Sequence, residues 1–135
     1  QNSRRGKGVD PLVLNGYRFV SPVANGAFSK IILALHLGSQ CEVAVKTFNK
    51  AKYLLPSNTY LALAMKHELA VLQQLQPHAH PNIANLREVV EDQANLHAIL
   101  QYCSGGSLQR MLTKKNQGGN LARSFGLDGR MCETV

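Results

Sequence analysis

The sequence predicts an α+β fold in which an antiparallel sheet of five strands packs against one long helix. Two runs rich in aromatic and β-branched residues, 17–23 and 28–35, flank the dipeptide Asn25-Gly26. That dipeptide is a strong turn signal, so the two runs are expected to form a β-hairpin. A third short run alternates with a period of two. The long helical pattern, 59–76, is followed by two more short apolar runs.

The first three predicted strands carry two local signals. Pro22 lies inside the first strand and implies an edge position or a β-bulge there. The third strand, 42–48, alternates strictly, so it is expected to have two different faces. Val43, Val45 and Thr47 point to one side, and Ala44, Lys46 and Phe48 point to the other. A polar connection, 50–58, leads from this strand to the helix.

The helix over 59–76 ends before Pro77 and carries a charged residue on its apolar side. Its apolar stripe consists of Leu61, Met65, Leu72 and Leu75. The same spacing of three and four residues puts Glu68 on this stripe. A carboxylate in that position is costly unless a cation or a hydrogen-bond donor meets it.

Lys46 is the cation that the third strand offers. If the face of the strand that carries Ala44 and Phe48 packs under the helix, Lys46 and Glu68 can form a charge-assisted hydrogen bond of roughly 2.7–2.9 Å. The alternative is that Glu68 lies at the edge of the stripe and points to water. The helix alone does not decide between the two.

Two strands and a short helix complete the predicted order. The strands are 86–90 and 96–101, joined by a polar turn. Gly105-Gly106 then interrupts the chain, and Ser107 can cap a short helix over 108–112.

Composition excludes some classes of function. The 135 residues suit one domain or one lobe of a larger domain, and a hydrophobic share of 44% is enough for a core. The formal net charge is +7, and residues 1–16, with Arg4, Arg5 and Lys7, are interpreted as a flexible basic leader. Such a balance fits nucleic acid, acidic membranes or phosphate ligands, but solvated lysines are the favoured explanation. The sequence contains no run of 18 apolar residues, so no membrane span is predicted.

The cysteines and histidines do not suggest a metal site. Cys41, Cys103 and Cys132 are an odd number and lack CxxC spacing, which argues against a disulfide framework and against a zinc site. The histidines are dispersed. This cysteine usage favours a reducing, intracellular compartment, with the cytoplasm as the expected one.

Five segments carry recognisable motifs in a fixed order. They are Val23–Ile31 (VANGAFSKI), Val43–Lys46 (VAVK), His67–Leu72 (HELAVL), His80–Ile83 (HPNI) and Leu96–Leu108 (LHAILQYCSGGSL). In this order they resemble the glycine-rich loop, the V-A-I-K strand, the C helix, the turn after it, and the fifth strand with hinge and D helix of eukaryotic-type protein kinases. The resemblance covers 17–112 and implies a kinase-like small lobe, with the hinge and the start of the large lobe. Within the family the chain is similar to serine/threonine kinases of the calcium/calmodulin-dependent group.

The resemblance implies that the lobe binds ATP. Lys46 would contact the α- and β-phosphates and Glu68 would orient it, which makes these two the catalytic residues of the set. Phe28 would shield the phosphates, and Leu100 matches the gatekeeper position. The residues assigned to the nucleotide are Val23, Ala24, Asn25, Gly26, Ala27, Phe28, Ser29, Ile31, Ala44, Lys46, Leu100, Gln101, Cys103 and Leu108. The apolar members could equally be plain core residues.

Three residues depart from the family pattern. Ala24 stands where the first glycine of the loop is expected, and Ser29 stands at the third. Ala24 should reduce the close approach of the backbone to phosphate oxygens, whereas Ser29 is tolerable. Ser107 replaces an acidic residue that often holds the ribose. These changes predict a weakened nucleotide site.

The motifs for phosphoryl transfer are absent. No segment resembles H-R-D-x-x-x-x-N, D-F-G or A-P-E, which supply the catalytic base and the metal ligands. Phe125-Gly126 follows Ser124, where D-F-G requires Asp. We therefore interpret 113–135 as a poorly matched tail, a truncated large lobe. The Mg²⁺ ligands are expected to lie outside this chain, which has no metal residues of its own and is expected to be inactive alone.

Three functions stay open at this point. The favoured one is the ATP-binding portion of a protein serine/threonine kinase, which in complete form transfers phosphoryl groups to protein hydroxyls. The alternative is a catalytically inactive, truncated pseudokinase that binds nucleotide or a partner. A basic nucleic-acid-binding protein is a distant third. The expected partners are ATP and a protein substrate of the complete kinase, with no membrane and no nucleic acid.

Overall fold

The structure, a computed structural model, describes residues 12–26 and 28–115. Predictions for Arg4, Arg5, Lys7, Ala27 and the segment 116–135 lie outside the described residues. The strands are β1 Val13–Leu14, β2 Tyr17–Asn25, β3 Ser29–His36, β4 Cys41–Asn49, β5 Leu86–Glu91 and β6 Asn95–Gln101. The helices are α1 Lys50–Tyr53, a 3₁₀ turn Pro56–Asn58, α2 Thr59–Leu75 and α3 Leu108–Lys115.

The strands form one antiparallel sheet in the order β1-β2-β3-β4-β6-β5, with α2 packed against it. The predicted α+β class is confirmed, but the described sheet has six strands in place of five. The extra strand, β1, lies in the segment predicted as a leader and pairs Val13 with Arg18. Asn15 and Gly16 form its turn at φ 49° and 82°, the left-handed pair that a tight hairpin needs. A two-residue strand is too short to show a hydrophobic period, so sequence reasoning missed it.

The sheet separates two apolar clusters. The first consists of Tyr17, Ala34, Val43, Val45 and Ile99. The second lies under α2 and consists of Phe48, Tyr53, Leu69, Leu86 and Ala98. Strand β4 contributes to both clusters, which confirms the predicted alternation of its faces. From the predicted helical stripe, Leu61, Met65 and Leu72 pack on the second cluster.

The connection between β4 and α2 is more ordered than predicted. Residues 50–53 form the helix α1, where the sequence suggested only a polar linker. The Asn49 side chain caps it by accepting a hydrogen bond from Ala51 N at 3.0 Å. The Tyr53 ring is thereby buried and meets the Phe48 ring edge-on, with centroids 5.7 Å apart. Four residues are too few for a helical period, so only the capping residue could have indicated this element.

Pro22 lies in an irregular part of β2. The pairing of β2 with β3 shifts register between Phe19 and Ser21 and again between Pro22 and Ala24. This confirms the β-bulge that Pro22 predicted. Both register shifts lie in the part of β2 that leads to the Asn25-Gly26 turn.

A polar network lies beside the first apolar cluster. Thr47 and His97 are both buried, and Thr47 Oγ1 lies 2.8 Å from His97 Nδ1. On the other side of the ring, His97 Nε2 lies 2.8 Å from Asp92 Oδ2. Asp92 Oδ1 also accepts hydrogen bonds from the backbone N–H groups of Ala94 and Asn95. The turn between β5 and β6 is therefore tied to the centre of the sheet.

Two further observations bear on the sequence predictions. In the part of the chain that the structure describes, no helix is both long and apolar enough to cross a membrane. Cys103 carries a free, exposed thiol, whereas Cys41 is disulfide-bonded. The odd cysteine count was therefore a poor guide for Cys41.

Candidate functional site

The predicted contact between Lys46 and Glu68 forms. Lys46 Nζ lies 2.5 Å from Glu68 Oε1, joining the middle of β4 to the middle of α2. The two side chains are 23% and 42% exposed. A pair this open to water contributes only about 0–1 kcal/mol to stability. Its main consequence is positional, because it fixes the direction in which the Lys46 ammonium group points.

Strands β3 and β6 flank Lys46 on both sides of β4. Lys46 pairs with Ile31 on β3 and with Ala98 on β6, so its backbone is central in the sheet. Lys46 Nζ also lies 5.5 Å from the centroid of the Phe48 ring, a cation–π contact.

Sequence reasoning missed Tyr53 as a neighbour of this site. Burial raises the pKa of the Tyr53 hydroxyl, and the negative charge of Glu68 raises it further. The phenol therefore stays neutral beside the ion pair. The aromatic residue after a capping Asn49 was the available signal, but α1 itself was not predicted.

The loop between β2 and β3 is a tight hairpin. Gly26 N donates to Ser29 O at 2.7 Å, and a Cβ atom at Gly26 would lie only 3.1 Å from that oxygen. Glycine is therefore favoured at this position. Val23, Ala24, Asn25 and Phe28 around it are exposed, while Ser29 is half-buried.

Three of the apolar residues predicted for the nucleotide share one face of the sheet. Ala44 pairs with Leu100, and Ile31 pairs with Lys46, so their side chains lie on the face that carries Lys46. Ile31, Ala44 and Leu100 are half-buried. Leu108 is 64% exposed at the start of α3. It belongs to the predicted set only by its position in the sequence.

The segment after β6 offers polar backbone groups. Gln101 N donates to Asn85 O at 3.0 Å, so a ligand could address Gln101 only through its carbonyl oxygen. Cys103 O accepts from Gly106 N at 3.3 Å, and Cys103 N has no partner among the described residues. Arg110 N donates to Ser107 Oγ at 3.2 Å, which confirms Ser107 as the cap of the following helix.

The site is therefore a fixed ammonium group beside an apolar strip and a glycine hairpin. This arrangement suits a ligand with a flat apolar part and an anionic part. Within residues 12–26 and 28–115, no group of three His, Cys, Asp or Glu side chains could hold a metal ion.

Comparison with known proteins gives a consistent picture. The family model "Protein kinase domain" matches residues 17–125. "CBL-interacting protein kinase 25" of Oryza sativa subsp. japonica is 32% identical over 116 residues, which is 84% of this chain and 21% of that protein. "CBL-interacting serine/threonine-protein kinase 19" of Arabidopsis thaliana is 29% identical over 114 residues, 84% of this chain and 22% of that protein. "SNF1-related protein kinase catalytic subunit alpha KIN12" of Arabidopsis thaliana is 28% identical over 105 residues, which is 78% of this chain and 20% of that protein. The chain spans about a fifth of the length of these curated relatives.

Proposed function

The chain belongs to the protein kinase family, and from that premise we propose that it forms the ATP-binding part of a serine/threonine protein kinase. The complete protein would transfer a phosphoryl group from ATP to protein hydroxyl groups. The observation that carries this proposal is the contact of 2.5 Å between Lys46 Nζ and Glu68 Oε1. An ammonium group held by a carboxylate next to a glycine hairpin suits the α- and β-phosphates of a nucleotide.

The other predicted residues would contact different parts of the nucleotide. The apolar strip of Ile31, Ala44 and Leu100 would take the adenine ring, because the three side chains share the face of Lys46. The Cys103 N–H, which has no partner in the described part of the chain, and the Gln101 carbonyl oxygen would bind its polar edge. The hairpin at Gly26 would cover the phosphates through its backbone. Val23, Ala24, Asn25, Phe28 and Ser29 line that hairpin, while Ala27 and Leu108 belong to the proposal by resemblance alone.

Mg²⁺ would accompany the nucleotide and neutralise phosphate charge during the transfer. The described residues lack a cluster of metal ligands, so in this part of the chain the phosphates themselves would hold the ion. The ligating carboxylates and the catalytic base would come from a part of the kinase beyond the motifs found here. The isolated chain is accordingly proposed to bind nucleotide without transferring phosphoryl groups.

One observation favours a second function. Ala24 lies at the bulge of β2, at the position where the glycine-rich loop of protein kinases has its first glycine. Its methyl group would hinder close approach to the phosphates. The second proposal is a catalytically inactive pseudokinase that binds a nucleotide weakly or binds a partner protein. For either function, a location inside the cell, most simply the cytoplasm, fits a requirement for ATP.

The first test measures nucleotide binding by the 135-residue chain with a fluorescent ATP analogue, with and without Mg²⁺. Binding that falls by about tenfold or more in Lys46→Met supports the proposal, since a hydrogen bond to a charged group is worth about 1.5–3 kcal/mol. Lys66→Met is the matched control, because Lys66 is an exposed lysine on the same helix as Glu68. Equal binding by wild-type protein and Lys46→Met would overturn the nucleotide site.

The second test separates the kinase from the pseudokinase. The full transcript is sequenced beyond the codon for Val135 and the encoded protein is assayed for phosphorylation of protein hydroxyls. Motifs such as H-R-D and D-F-G together with measurable transfer support the kinase. A full-length product that binds nucleotide without any transfer supports the pseudokinase.

A further inference from the structure

A polar cavity of about 370 Å³ opens at the end of the sheet formed by Tyr17, His36 and the start of β5. Its volume lies in the range of ligand pockets, ~300–1,000 Å³. The lining residues are Tyr17, His36, Gln76, Ala79, Asn85, Leu86, Arg87 and Glu88. Most of them are polar, and none of them belongs to the proposed nucleotide site.

A β-bulge accounts for the two adjacent charges in this cavity. The pairing of β5 with β6 shifts register between Leu86 and Glu88, so Arg87 has no partner of its own in the ladder. In a regular strand Arg87 and Glu88 would point to opposite faces. The bulge lets both reach one cavity, the kind of re-aimed side chain for which bulges are used at functional sites.

Most of the polar groups in the cavity are already satisfied. The Tyr17 hydroxyl is hydrogen-bonded to Glu88, and burial together with this bond raises the pKa of Tyr17 to about 12. Asn15 Nδ2 lies 3.5 Å from Glu88 Oε1. The Gln76 Nε2 group donates to the Arg87 carbonyl oxygen at 2.8 Å. These bonds fix the walls and leave the Glu88 carboxylate occupied.

Two groups are not satisfied in this way. Arg87 has no carboxylate within ion-pair distance in the described part of the chain. Its guanidinium group has uncharged partners: it is hydrogen-bonded to the Tyr17 hydroxyl, and its Nη2 lies 3.1 Å from His36 Nδ1. That nitrogen is already shared with Ser39. Asn85 Oδ1 is buried and has no hydrogen-bond partner among residues 12–26 and 28–115. A buried acceptor without a donor is costly, and rotation of the amide about its terminal torsion would turn this oxygen into the cavity, where a bound ligand could donate a hydrogen bond to it.

From these observations we propose that the cavity is a binding site for an acidic segment of a partner protein, with a carboxylate on Arg87 and a neighbouring N–H group on Asn85 Oδ1. A guanidinium fork is the side chain best matched to a planar carboxylate. A peptide places an N–H donor within reach of an acidic group, which a simple anion does not. The walls are pre-formed, so little ordering is required when the segment binds.

The backbone ties this cavity to the segment after β6. Asn85 O accepts the hydrogen bond from Gln101 N, so the loop that presents Asn85 is held in place by that segment. Occupation of the cavity is therefore expected to shift the amide signal of Gln101 as well as those of 85–88.

The test titrates the ¹⁵N-labelled 135-residue chain with the capped peptide acetyl-Gly-Glu-Gly-amide and follows the amide signals by NMR. The neutral peptide acetyl-Gly-Gln-Gly-amide is the matched control, and acetyl-Gly-Gly-Gln with a free terminal carboxylate distinguishes a chain end from an acidic side chain. Saturable shifts at 85–88 with either carboxylate peptide, and not with the neutral one, are expected. Arg87→Gln should weaken the binding by about tenfold or more, the loss expected for a hydrogen bond to a charged group, whereas Arg110→Gln should not change it.

The outcomes decide the proposal in both directions. Shifts of equal size with the neutral peptide, shifts located elsewhere, or no saturation with either carboxylate peptide would overturn it. If Arg87→Gln does not fold, Asn85→Ala takes its place and is also expected to weaken binding. Full binding by a folded Asn85→Ala chain would remove the Asn85 part of the site.

Discussion

Lys46 Nζ and Glu68 Oε1 lie 2.5 Å apart although the two residues are 22 positions apart in the sequence. Strand β4 supplies the lysine and helix α2 supplies the carboxylate, so the contact reports how the helix sits on the sheet. Both side chains are partly exposed, and the pair therefore specifies a geometry more than it stabilises the fold.

Replacing Glu68 should separate these two effects. In Glu68→Gln the amide still reaches Lys46 but no longer carries charge, so the affinity for a fluorescent ATP analogue is expected to fall by about tenfold, the lower end for a hydrogen bond to a charged group. The free energy of unfolding in urea should change by less than about 1 kcal/mol. Glu42→Gln, an exposed carboxylate on β4, is the control and should change neither quantity. A large loss of stability with unchanged affinity would contradict this account of the pair.

Thr47→Val should destabilise the fold. Valine has nearly the same shape, but it leaves the buried His97 Nδ1 without the partner that now lies at 2.8 Å. Leaving one buried polar atom unsatisfied costs about 1–3 kcal/mol. Urea unfolding measures this loss, with Thr113→Val as control, because exposed positions usually change stability by less than about 0.5 kcal/mol. Equal losses in the two variants would show that the Thr47 hydroxyl is not needed for stability.

The Asp92 carboxylate should make stability depend on acid pH. The hydrogen bond from His97, followed by those from the N–H groups of Asn95 and Ala94, lowers the pKa of Asp92 from 3.8 to about 2. The folded carboxyl thus has a lower pKa than the unfolded one, so its stabilising contribution is complete above pH 3.8 and is lost as the pH falls towards 2. We expect Asp92→Asn to lose this part of the slope of unfolding free energy against pH, while Glu42→Gln keeps it. An unchanged slope in Asp92→Asn would contradict the assignment.

The first apolar cluster should dominate stability. Ile99 is 1% exposed and packs with Val43 and Val45, so Ile99→Ala leaves a cavity and should cost about 2–5 kcal/mol. Leu54, which is 80% exposed after α1, is the matched control, and Leu54→Ala should change the free energy of unfolding by less than about 0.5 kcal/mol. Thermal or urea unfolding distinguishes them. Similar values would mean that this side of the sheet is not the core.

The parts of the fold that repeat with a regular period were predictable from sequence. The alternation of β4 and the stripe of α2 made a contact between Lys46 and Glu68 possible but left open that Glu68 points to water, and the Asn25-Gly26 turn predicted the β2–β3 hairpin. The observed distance of 2.5 Å is shorter than the predicted range of roughly 2.7–2.9 Å. The functional roles of these residues stay predictions that the binding tests above address.

Features that depend on local geometry were not predictable. Strand β1 and helix α1 are too short to have a period, and the bulge at Arg87 is defined only by its partner strand. The link between Thr47, His97 and Asp92 joins residues from three places in the chain, and no spacing rule connects them. The polar cavity near Asn85 was not predictable for the same reason, since its lining residues are distant in sequence and meet only in the folded sheet.

The division of β4 between the two sides of the sheet also restricts how its gene segment can change in length. Insertion of a single codon before Lys46 would turn that lysine towards Ile99 and leave an apolar side chain facing Glu68, because every side chain after the insertion changes side. The exposed turn at 37–40 is not restricted in length in this way. Among natural variants of this protein, we therefore expect gains and losses of single residues in that turn and none within Cys41–Asn49.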